Sequence, residues 1–174
     1  MAKVKFETWM KGIRGKVGDF IYRLMPDGST VVSQAPQSDH RDFSKKQLDH
    51  QRRFQQAAAY ARQAAQHQPI YAELAAAAPL RTAYNFAVSD WWHAPVIHRV
   101  ERRDGRILVQ ATDNMLVTRV QVKLLDDAGN VLEKGEAVRG EGDWWELTTQ
   151  ADSQAQTVIV EAWDLPEHVT RFVL

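Results

Sequence analysis

Six histidines carry the most adaptable chemistry in this sequence, because imidazole can bind a metal or transfer a proton near neutral pH. No two of them stand at helical or strand spacing with a carboxylate placed to complete a metal site. His93 and His98 lie on either side of a predicted helix-to-strand junction and could meet in space. Surface or hinge positions explain them better, so we expect no metal site. The six are His40, His50, His67, His93, His98 and His168.

Two acidic turns could offer oxygen ligands to calcium. Asp113 and Asn114 follow one predicted strand, and Asp126, Asp127 and Asn130 form a second turn. Calcium takes roughly six to eight oxygen ligands, and neither turn supplies that number alone. Asp and Asn also favour hairpin turns for conformational reasons. The sequence therefore leaves calcium binding near Asp113 or Asp126 open.

Two tryptophan pairs, Trp91-Trp92 and Trp144-Trp145, provide large apolar rings that need cover. Adjacent side chains of a strand point to opposite faces, so only one of Trp144 and Trp145 can fill a core. On a helix, Trp91 would point inward and Trp92 to the side. Tryptophan is enriched at interface hot spots, which favours an interface role for the rings outside the core. Plain core packing and sugar stacking are the alternatives.

Enzymatic chemistry has little support in the sequence. The chain has no cysteine, which excludes disulfides, thiolate metal sites and a cysteine nucleophile. It contains no GxGxxG, Walker-type, HExxH or GxSxG motif. We therefore expect a protein that is not an enzyme and that uses no cofactor.

The charge distribution divides the chain into two halves. Residues 1–65 carry 12 Lys and Arg against 6 Asp and Glu (+6), and residues 66–174 carry 10 against 16 (−6). Opposite charges could attract copies that stack head to tail, or could simply reflect solvated faces. The basic half could instead bind nucleic acid, although acidic residues between its cations make this improbable. The cations concerned are Lys45, Lys46, Arg52 and Arg53.

Length and hydropathy give an ordinary globular chain. Its 174 residues, 44% hydrophobic and 25% charged, suit one or two domains. No apolar run approaches the roughly 20 residues that span a bilayer, so we expect no membrane span. The N-terminus lacks the apolar core of a signal peptide. The compartment stays open, with an extracellular or cell-surface assembly favoured over the cytoplasm.

The first 36 residues predict a β-hairpin. Phe20, Tyr22 and Leu24 alternate onto one side of a strand, Pro26-Asp27-Gly28 predicts a turn, and residues 30–32 return as the partner strand. An isolated hairpin is only marginally stable in water. This segment must therefore pack on the rest of the chain or on another copy.

Residues 37–94 predict short helices. Ser44 and Gln47 have the spacing of a capping box and open the first helix. Pro69 suits the first turn of a second helix, and a third ends before Pro95. The predicted inward face of the first helix consists of Phe54, Ala58, Ala61 and Ala65.

From residue 95 onward the apolar period changes to two, and turn signals become frequent. Seven strands are predicted near residues 96–101, 106–113, 116–125, 131–138, 144–149, 157–163 and 168–173. About seven short strands in some 80 residues is typical of a sandwich of immunoglobulin or fibronectin type. A Cys–Trp–Cys framework is absent, which excludes an antibody-like domain proper.

Several motifs resemble those of a family of small, uncharacterised bacterial proteins. Residues 12–22 read GIRGKVGDFIY, and a proline-bearing linker and a Q…R..F..A helix (residues 47–58) follow. Residues 82–97 and the Asp143-Trp144-Trp145 strand are similar to members with a bacterial Ig-like C-terminus. The resemblance implies an Ig-like fold and favours surface, virion-like or extracellular assemblies. It assigns no activity and no catalytic residue.

These patterns together predict an α+β protein, with an N-terminal β-hairpin arm (1–36) and a helical segment (37–94). An all-β immunoglobulin/fibronectin-like sandwich follows (95–174). The leading hypothesis is self-assembly into a homo-oligomer, an extracellular or virion-like filament, by exchange of the N-terminal strand with a neighbouring subunit. The alternatives are a monomeric Ig-like module that binds a glycan or a protein, and a nucleic-acid-binding protein. The predicted interface residues are Phe6, Trp9, Phe20, Tyr22, Leu24, Trp92 and Trp144.

Overall fold

The computed structural model describes residues 2–4, 13–36, 42–78, 80–151 and 154–174. Within these residues the chain forms three helices and two antiparallel sheets, an α+β arrangement. The four-stranded N-terminal sheet comes first, the helices follow, and a seven-stranded sheet ends the chain. The predicted α+β class is therefore confirmed.

The N-terminal sheet contains the predicted hairpin and two further strands. Its strands are β1 (Ala2–Val4), β2 (Gly15–Val17), β3 (Phe20–Leu24) and β4 (Thr30–Gln34), in the order β1-β4-β3-β2. The hairpin turn is held by Asp27, whose carboxylate accepts hydrogen bonds from the Ser29 backbone at 2.9 Å and the Ser29 hydroxyl at 2.5 Å. Gly28 has φ of +76°, a conformation that glycine adopts without steric cost.

The three helices are α1 (Lys45–His67), α2 (Pro69–Ala77) and α3 (Ala83–Trp91). The predicted capping box is present at the start of α1. The Ser44 hydroxyl accepts from the Gln47 N–H at 3.3 Å, and the Gln47 side chain accepts from the Ser44 N–H at 2.9 Å. Pro69 occupies the first turn of α2, where its missing N–H costs nothing.

The predicted inward face of α1 was only partly right. Ala58 and Ala61 are buried, but Phe54 is half exposed, and the buried face is turned towards Ala57 and Ala64. This buried face is the one that packs against the other two helices, where Ala61 and Ala64 join Tyr71, Phe86 and Ala87. Residues 42–56 are all exposed, so the first three turns of α1 extend beyond the helical core.

The seven-stranded sheet has every strand that the sequence predicts between residues 96 and 173, with ends within three residues of the predicted ones. Its order is β11-β10-β7-β8-β9-β6-β5. Alternate side chains of β6 and β7 are buried, as the period of two requires. The strands are β5 (Val96–Arg103), β6 (Arg106–Thr112), β7 (Arg119–Leu125), β8 (Val131–Arg139), β9 (Trp144–Thr148), β10 (Thr157–Trp163) and β11 (Val169–Val173).

This sheet curls around its own core until its two edges meet. Strand β8 pairs with β7 along residues 131–137 and with β9 through Val138 and Arg139. At the edges, the Thr170 hydroxyl on β11 donates a hydrogen bond of 2.5 Å to the Pro95 carbonyl, just before β5. The enclosed core contains Ile107, Leu124 and the valines of β6, β7 and β10, all fully buried.

The helices cover one end of the curled sheet. Their own core consists of Ala61, Ala64, Tyr71, Phe86 and Ala87. Met115, between β6 and β7, and Leu165, between β10 and β11, pack against this core from the sheet side. Two loops of the seven-stranded sheet and the three helices therefore form one junction.

Candidate functional site

One face of the N-terminal sheet carries most of its large apolar side chains. In the strand register, Val17 lies opposite Phe20 and Tyr22 lies opposite Val32. Because opposed residues share a face, Val17, Phe20, Tyr22, Leu24 and Val32 lie on the same side of the sheet, together with Thr30, which is buried, and Gln34. We call this side the apolar face. The opposite face presents Lys16, Ile21, Arg23, Val31 and Ser33.

The apolar face is not part of a hydrophobic core in the described chain. Phe20 is 49% exposed, Leu24 47% and Val17 57%. Neither of the two buried hydrophobic clusters contains a described residue of this sheet. The four strands pair only with one another among the described residues. Two of the other predicted interface residues, Phe6 and Trp9, lie outside the described residues.

Trp92 is largely covered by neighbours within the chain. Its ring makes edge contacts with Trp91, at a centroid distance of 5.6 Å, and with His50 at 5.2 Å. The Arg53 guanidinium lies 4.8 Å from the ring centroid, a cation–π geometry. These contacts anchor the exposed half of α1 to the end of α3.

The Trp144-Trp145 pair divides between two faces, as predicted. Trp145 is only 6% exposed and belongs to the core of the seven-stranded sheet. Trp144 is half-buried on the outer face, where the register places it beside Gln110 on β6, and Gln110 beside Arg99 on β5. Trp144 is therefore the aromatic member of a polar row on the outside of the sheet.

The basic stretch of α1 has partners that reduce its availability for phosphate. Arg52 lies 3.8 Å from Asp49, and Arg53 stacks on Trp92. Lys45 and Lys46 lie in the exposed first turn of α1. The four cations therefore do not form one unpartnered basic surface.

Two of the described histidines and the Asp126 turn make local hydrogen-bond contacts within the chain. His93 contacts the Ser89 carbonyl at 2.7 Å, and His98 contacts the Thr112 hydroxyl at 2.6 Å. Asp126 accepts hydrogen bonds from the Asn130 backbone and side chain, which lower the pKa of its carboxyl. In the chain as described, no three His, Asp or Glu side chains come together in a metal-binding arrangement.

A buried polar cluster lies at the junction between the helices and the seven-stranded sheet. Its centre is Asp90, on the last turn of α3, which is fully buried. The Tyr71 hydroxyl donates a hydrogen bond of 2.5 Å to Asp90 Oδ2, and the Tyr60 and Tyr71 hydroxyls lie 2.7 Å apart. Burial raises the pKa of Tyr60 to about 12 and also raises that of Tyr71. All three helices thus contribute to one hydrogen-bonded chain.

Two loops of the sheet bring further carboxyl groups to this cluster. Asp113 Oδ2 accepts from the backbone N–H groups of Met115 and Leu116, at 2.9 and 3.2 Å. Asp164, also fully buried, binds the backbone N–H and the imidazole Nδ1 of His168, at 2.6 and 2.8 Å. Burial raises the pKa of the Asp164 carboxyl, and the hydrogen bonds from His168 oppose that rise.

Two oxygens of the cluster, Asp90 Oδ1 and Asp113 Oδ1, are buried and have no hydrogen-bond partner of their own. The Asp113 carboxyl lies within hydrogen-bonding reach of the Asp90 carboxyl. Burial, together with the nearby Asp113 and Asp164, raises the pKa of Asp90 to about 7, while the Tyr71 hydrogen bond opposes the rise. Asp90 and Asp113, two carboxyl groups that interact with each other, therefore each have one enclosed oxygen without a partner.

Sequence reasoning missed Asp90, Tyr71 and Asp164 as a cluster. One signal was present: Asp90 follows Phe86 and Ala87 on the buried face of α3, where a charged side chain is costly unless it finds a partner. Its partners come from α2 and from two distant loops, which no local spacing connects.

Comparison with known proteins found no matching family model, no matching curated protein and no matching solved structure. Among the described helices, none is both long and apolar enough to cross a membrane.

Proposed function

We propose that this protein assembles with copies of itself into a filament, through exchange of strand β1 between neighbours and burial of the apolar face. The observation that carries the proposal is the apolar face itself: Phe20 and Leu24 are half exposed, and the sheet contributes to neither core. Fully burying such a side chain contributes about 1.5–3 kcal/mol. A second copy that covers this face would therefore gain several kcal/mol.

The pairing of β1 favours exchange. It consists of three residue pairs, Ala2 with Val32, Lys3 with Val31 and Val4 with Thr30. Residues 5–14 separate β1 from β2, so β1 can pair with another copy's β4 without disturbing the β3–β4 hairpin. Strand exchange replaces hydrogen bonds by identical ones, so its cost is low. A contact between two different surfaces propagates along a fibre unless its rotation closes a ring.

The uneven charge distribution supports a second copy of the chain as the partner that covers the apolar face. The part of the chain that contains the N-terminal sheet carries +6, and the part that contains the seven-stranded sheet carries −6. A head-to-tail contact places these opposite charges together, which speeds association and selects that orientation. Such an assembly should weaken as salt rises, since exposed charges are screened.

We also propose that the curled sheet is a sandwich of immunoglobulin or fibronectin type. The support is its strand order: β5-β6-β9 forms one half and β11-β10-β7-β8 the other, with β8 as the strand that joins them. If β5 to β11 are lettered A, B, C, C′, E, F and G in chain order, as in immunoglobulin-type domains, strands A, B and E form one half and strands G, F, C and C′ form the other. Domains of this kind commonly serve as binding or structural modules, in accord with a role that needs no catalysis.

Engineered cysteines test the exchange, because the native chain has none. Lys3→Cys and Val31→Cys place thiols on paired residues of β1 and β4. We expect a mixture of the two single variants to form disulfide-linked dimers, and the double variant to form a ladder on non-reducing gels. Ala2→Cys with Val32→Cys is the companion pair, since neighbouring register positions differ in disulfide geometry. A double variant that yields only cross-linked monomer would exclude exchange.

Variants of the apolar face test its burial. Phe20→Ser with Leu24→Ser should lower the assembled fraction about 100-fold or more, given the burial energies above. Arg23→Ser, on the opposite face of the same strand, is the matched control and should assemble normally. Negative-stain microscopy and light scattering provide the readout. Filaments that persist in the double variant would contradict the proposal.

A glycan-binding module is the second candidate, favoured by the row of Trp144, Gln110 and Arg99 on the outer face. An aromatic ring beside amide and guanidinium donors suits stacking on a sugar and hydrogen bonding to its hydroxyls. Glycan-array binding by a monomer that Trp144→Ala abolishes would support this role over assembly.

A further inference from the structure

We propose that Asp90 and Asp113 share one proton, and that this shared proton fastens the helical layer to the end of the seven-stranded sheet. The junction is then a pH-sensitive contact, closed while Asp90 holds the proton between the two carboxyls and loosened when Asp90 loses it.

The orphaned oxygens provide the geometric argument. Asp90 Oδ1 and Asp113 Oδ1 are both enclosed, and neither has a partner among the described donors. The other oxygen of each residue is satisfied, by the Tyr71 hydroxyl for Asp90 and by two backbone N–H groups for Asp113. One proton between the two free oxygens satisfies both, since a protonated carboxyl donates and an ionised one accepts. Without that proton, both Oδ1 oxygens would lack a donor, and the two carboxylates would repel each other.

The position of the shared proton, between a helix and a loop of the sheet, determines its effect on the structure. Asp90 is on α3 and Asp113 is in the loop that follows β6, so the shared proton joins two separate layers of the molecule. Around this point the contact is otherwise apolar, through Met115 and Leu165 against the helical core. Loss of the proton from Asp90 would therefore act directly on the helix–sheet contact.

The other titratable groups around Asp90 do not supply a compensating positive charge at its side. Tyr60 from α1 and Tyr71 from α2 are neutral hydroxyls, and Asp164 from the β10–β11 loop adds negative charge. His168 is paired with Asp164 and stacks edge-on against Trp91 at 5.6 Å. Glu167 acts on Tyr60 from the same loop. A proton is therefore the positive charge available to the pair from these neighbours.

The sign of the pH dependence follows from the raised pKa of Asp90. A carboxyl with a folded pKa of about 7 and an unfolded pKa of about 3.9 keeps its proton more tightly in the folded state. Its contribution to stability is fully present below about pH 4, falls as the pH rises, and is lost above about pH 7. The loss corresponds to a decrease of up to about a thousand-fold in the folding equilibrium constant.

Carbon-13 NMR of the aspartate carboxyls tests the shared proton in the unmodified protein. We expect one carboxyl to titrate near pH 7 and to disappear from the spectrum in Asp90→Asn. Titration of every aspartate below about pH 5 would overturn the proposal. A large shift of the same signals on addition of calcium at pH 7 would also overturn it, because the pair would then be a cation site.

Asp90→Asn tests the junction itself. An asparagine amide imitates the protonated acid: its oxygen accepts from Tyr71, and its NH₂ donates to Asp113. We expect hydrogen exchange of α3 amides, corrected for intrinsic rates, to accelerate between pH 6 and pH 8 in the native protein but not in this variant. Amides of β10 should show no such step in either protein. Asp127→Asn, an exposed carboxyl in the β7–β8 turn, is the control and should behave as the native chain.

An α3 step of equal size in Asp90→Asn and in the native protein would contradict the proposal. If the variant does not fold, the NMR titration of the native protein decides the question by itself. The self-assembly described above uses the N-terminal sheet and is measured separately, so each proposal can fail without the other.

Discussion

The N-terminal sheet and the seven-stranded sheet both alternate apolar and polar side chains, but within the described part of the chain only the second surrounds a core. Leu124 on β7 is fully buried, whereas Leu24 on β3 is 47% exposed. Pairing of strands satisfies backbone hydrogen bonds in both sheets, yet the hydrophobic contribution depends on what lies against the apolar face. A regular strand register therefore does not by itself make a stable unit, and half-exposed apolar side chains such as Phe20 and Leu24 indicate where a partner would act.

Matched leucine substitutions give the largest expected difference between the two sheets. Leu124→Ala should reduce the free energy of unfolding by about 2–5 kcal/mol, because it removes buried atoms and leaves a cavity. Leu24→Ala in the isolated chain should cost about 0.5 kcal/mol or less, as at other exposed positions. Urea denaturation followed by tryptophan fluorescence measures both.

If both substitutions lower the free energy of unfolding of the dilute monomer by the same amount, the apolar face is already buried against its own chain. The comparison becomes sharper under conditions that favour assembly. There, Leu24→Ala should lower the assembled fraction even though it leaves monomer stability unchanged.

Tyr71→Phe should produce the next largest effect, at the junction between the helices and the seven-stranded sheet. The change removes a buried hydroxyl that joins Tyr60 to Asp90, so we expect a loss of about 1–3 kcal/mol. Since the Tyr71 hydrogen bond holds the pKa of Asp90 down, its removal should raise that pKa further. The decrease in stability with rising pH would then continue above pH 7.

Tyr84→Phe is the matched control for this prediction. Tyr84 also lies on α3 against the helical core, but its hydroxyl makes no hydrogen bond to a described residue. Its removal should change the free energy of unfolding by a few tenths of a kcal/mol. Thermal unfolding at pH 5 and pH 8 compares the two variants. If both variants lose the same stability, the hydrogen bonds of the Tyr71 hydroxyl do not stabilise the fold.

Sequence periodicity was sufficient for the elements that depend on local signals. The seven C-terminal strands, the hairpin around Gly28 and the capping box of Ser44 each follow from alternation or from a turn or cap residue. Strands β1 and β2 were not predicted as separate elements, because three-residue strands carry too little alternation to detect.

Local sequence patterns did not predict the features that depend on tertiary neighbours. Phe54 was predicted to be buried because it shares a face with Ala58 and Ala61, but which side of a helix is covered depends on the residues that the neighbouring helices place against it. The Asp90 cluster shows the same limit, since its members come from α2, α3 and two loops of the sheet. A polar residue on an apolar helical face is the only sign that such a cluster leaves in the sequence.

The smallest effect is expected where the chain is least packed, in the exposed first turns of α1. Ser44→Ala removes the hydroxyl that accepts from the Gln47 N–H, while the bond from the residue 44 N–H to the Gln47 side chain can remain; loss of an N-cap side chain typically costs about 0.5–2 kcal/mol of helix stability. Residues 42–56 are all exposed, so this cost should appear as local fraying with little change in global unfolding. We expect faster hydrogen exchange at residues 45–50 and a slight loss of helical circular dichroism, while Ser44→Asp, which retains a capping oxygen, keeps both near native values. A large fall in the global unfolding temperature of Ser44→Ala would show instead that the start of α1 is coupled to the junction through His50, Arg53 and Trp92.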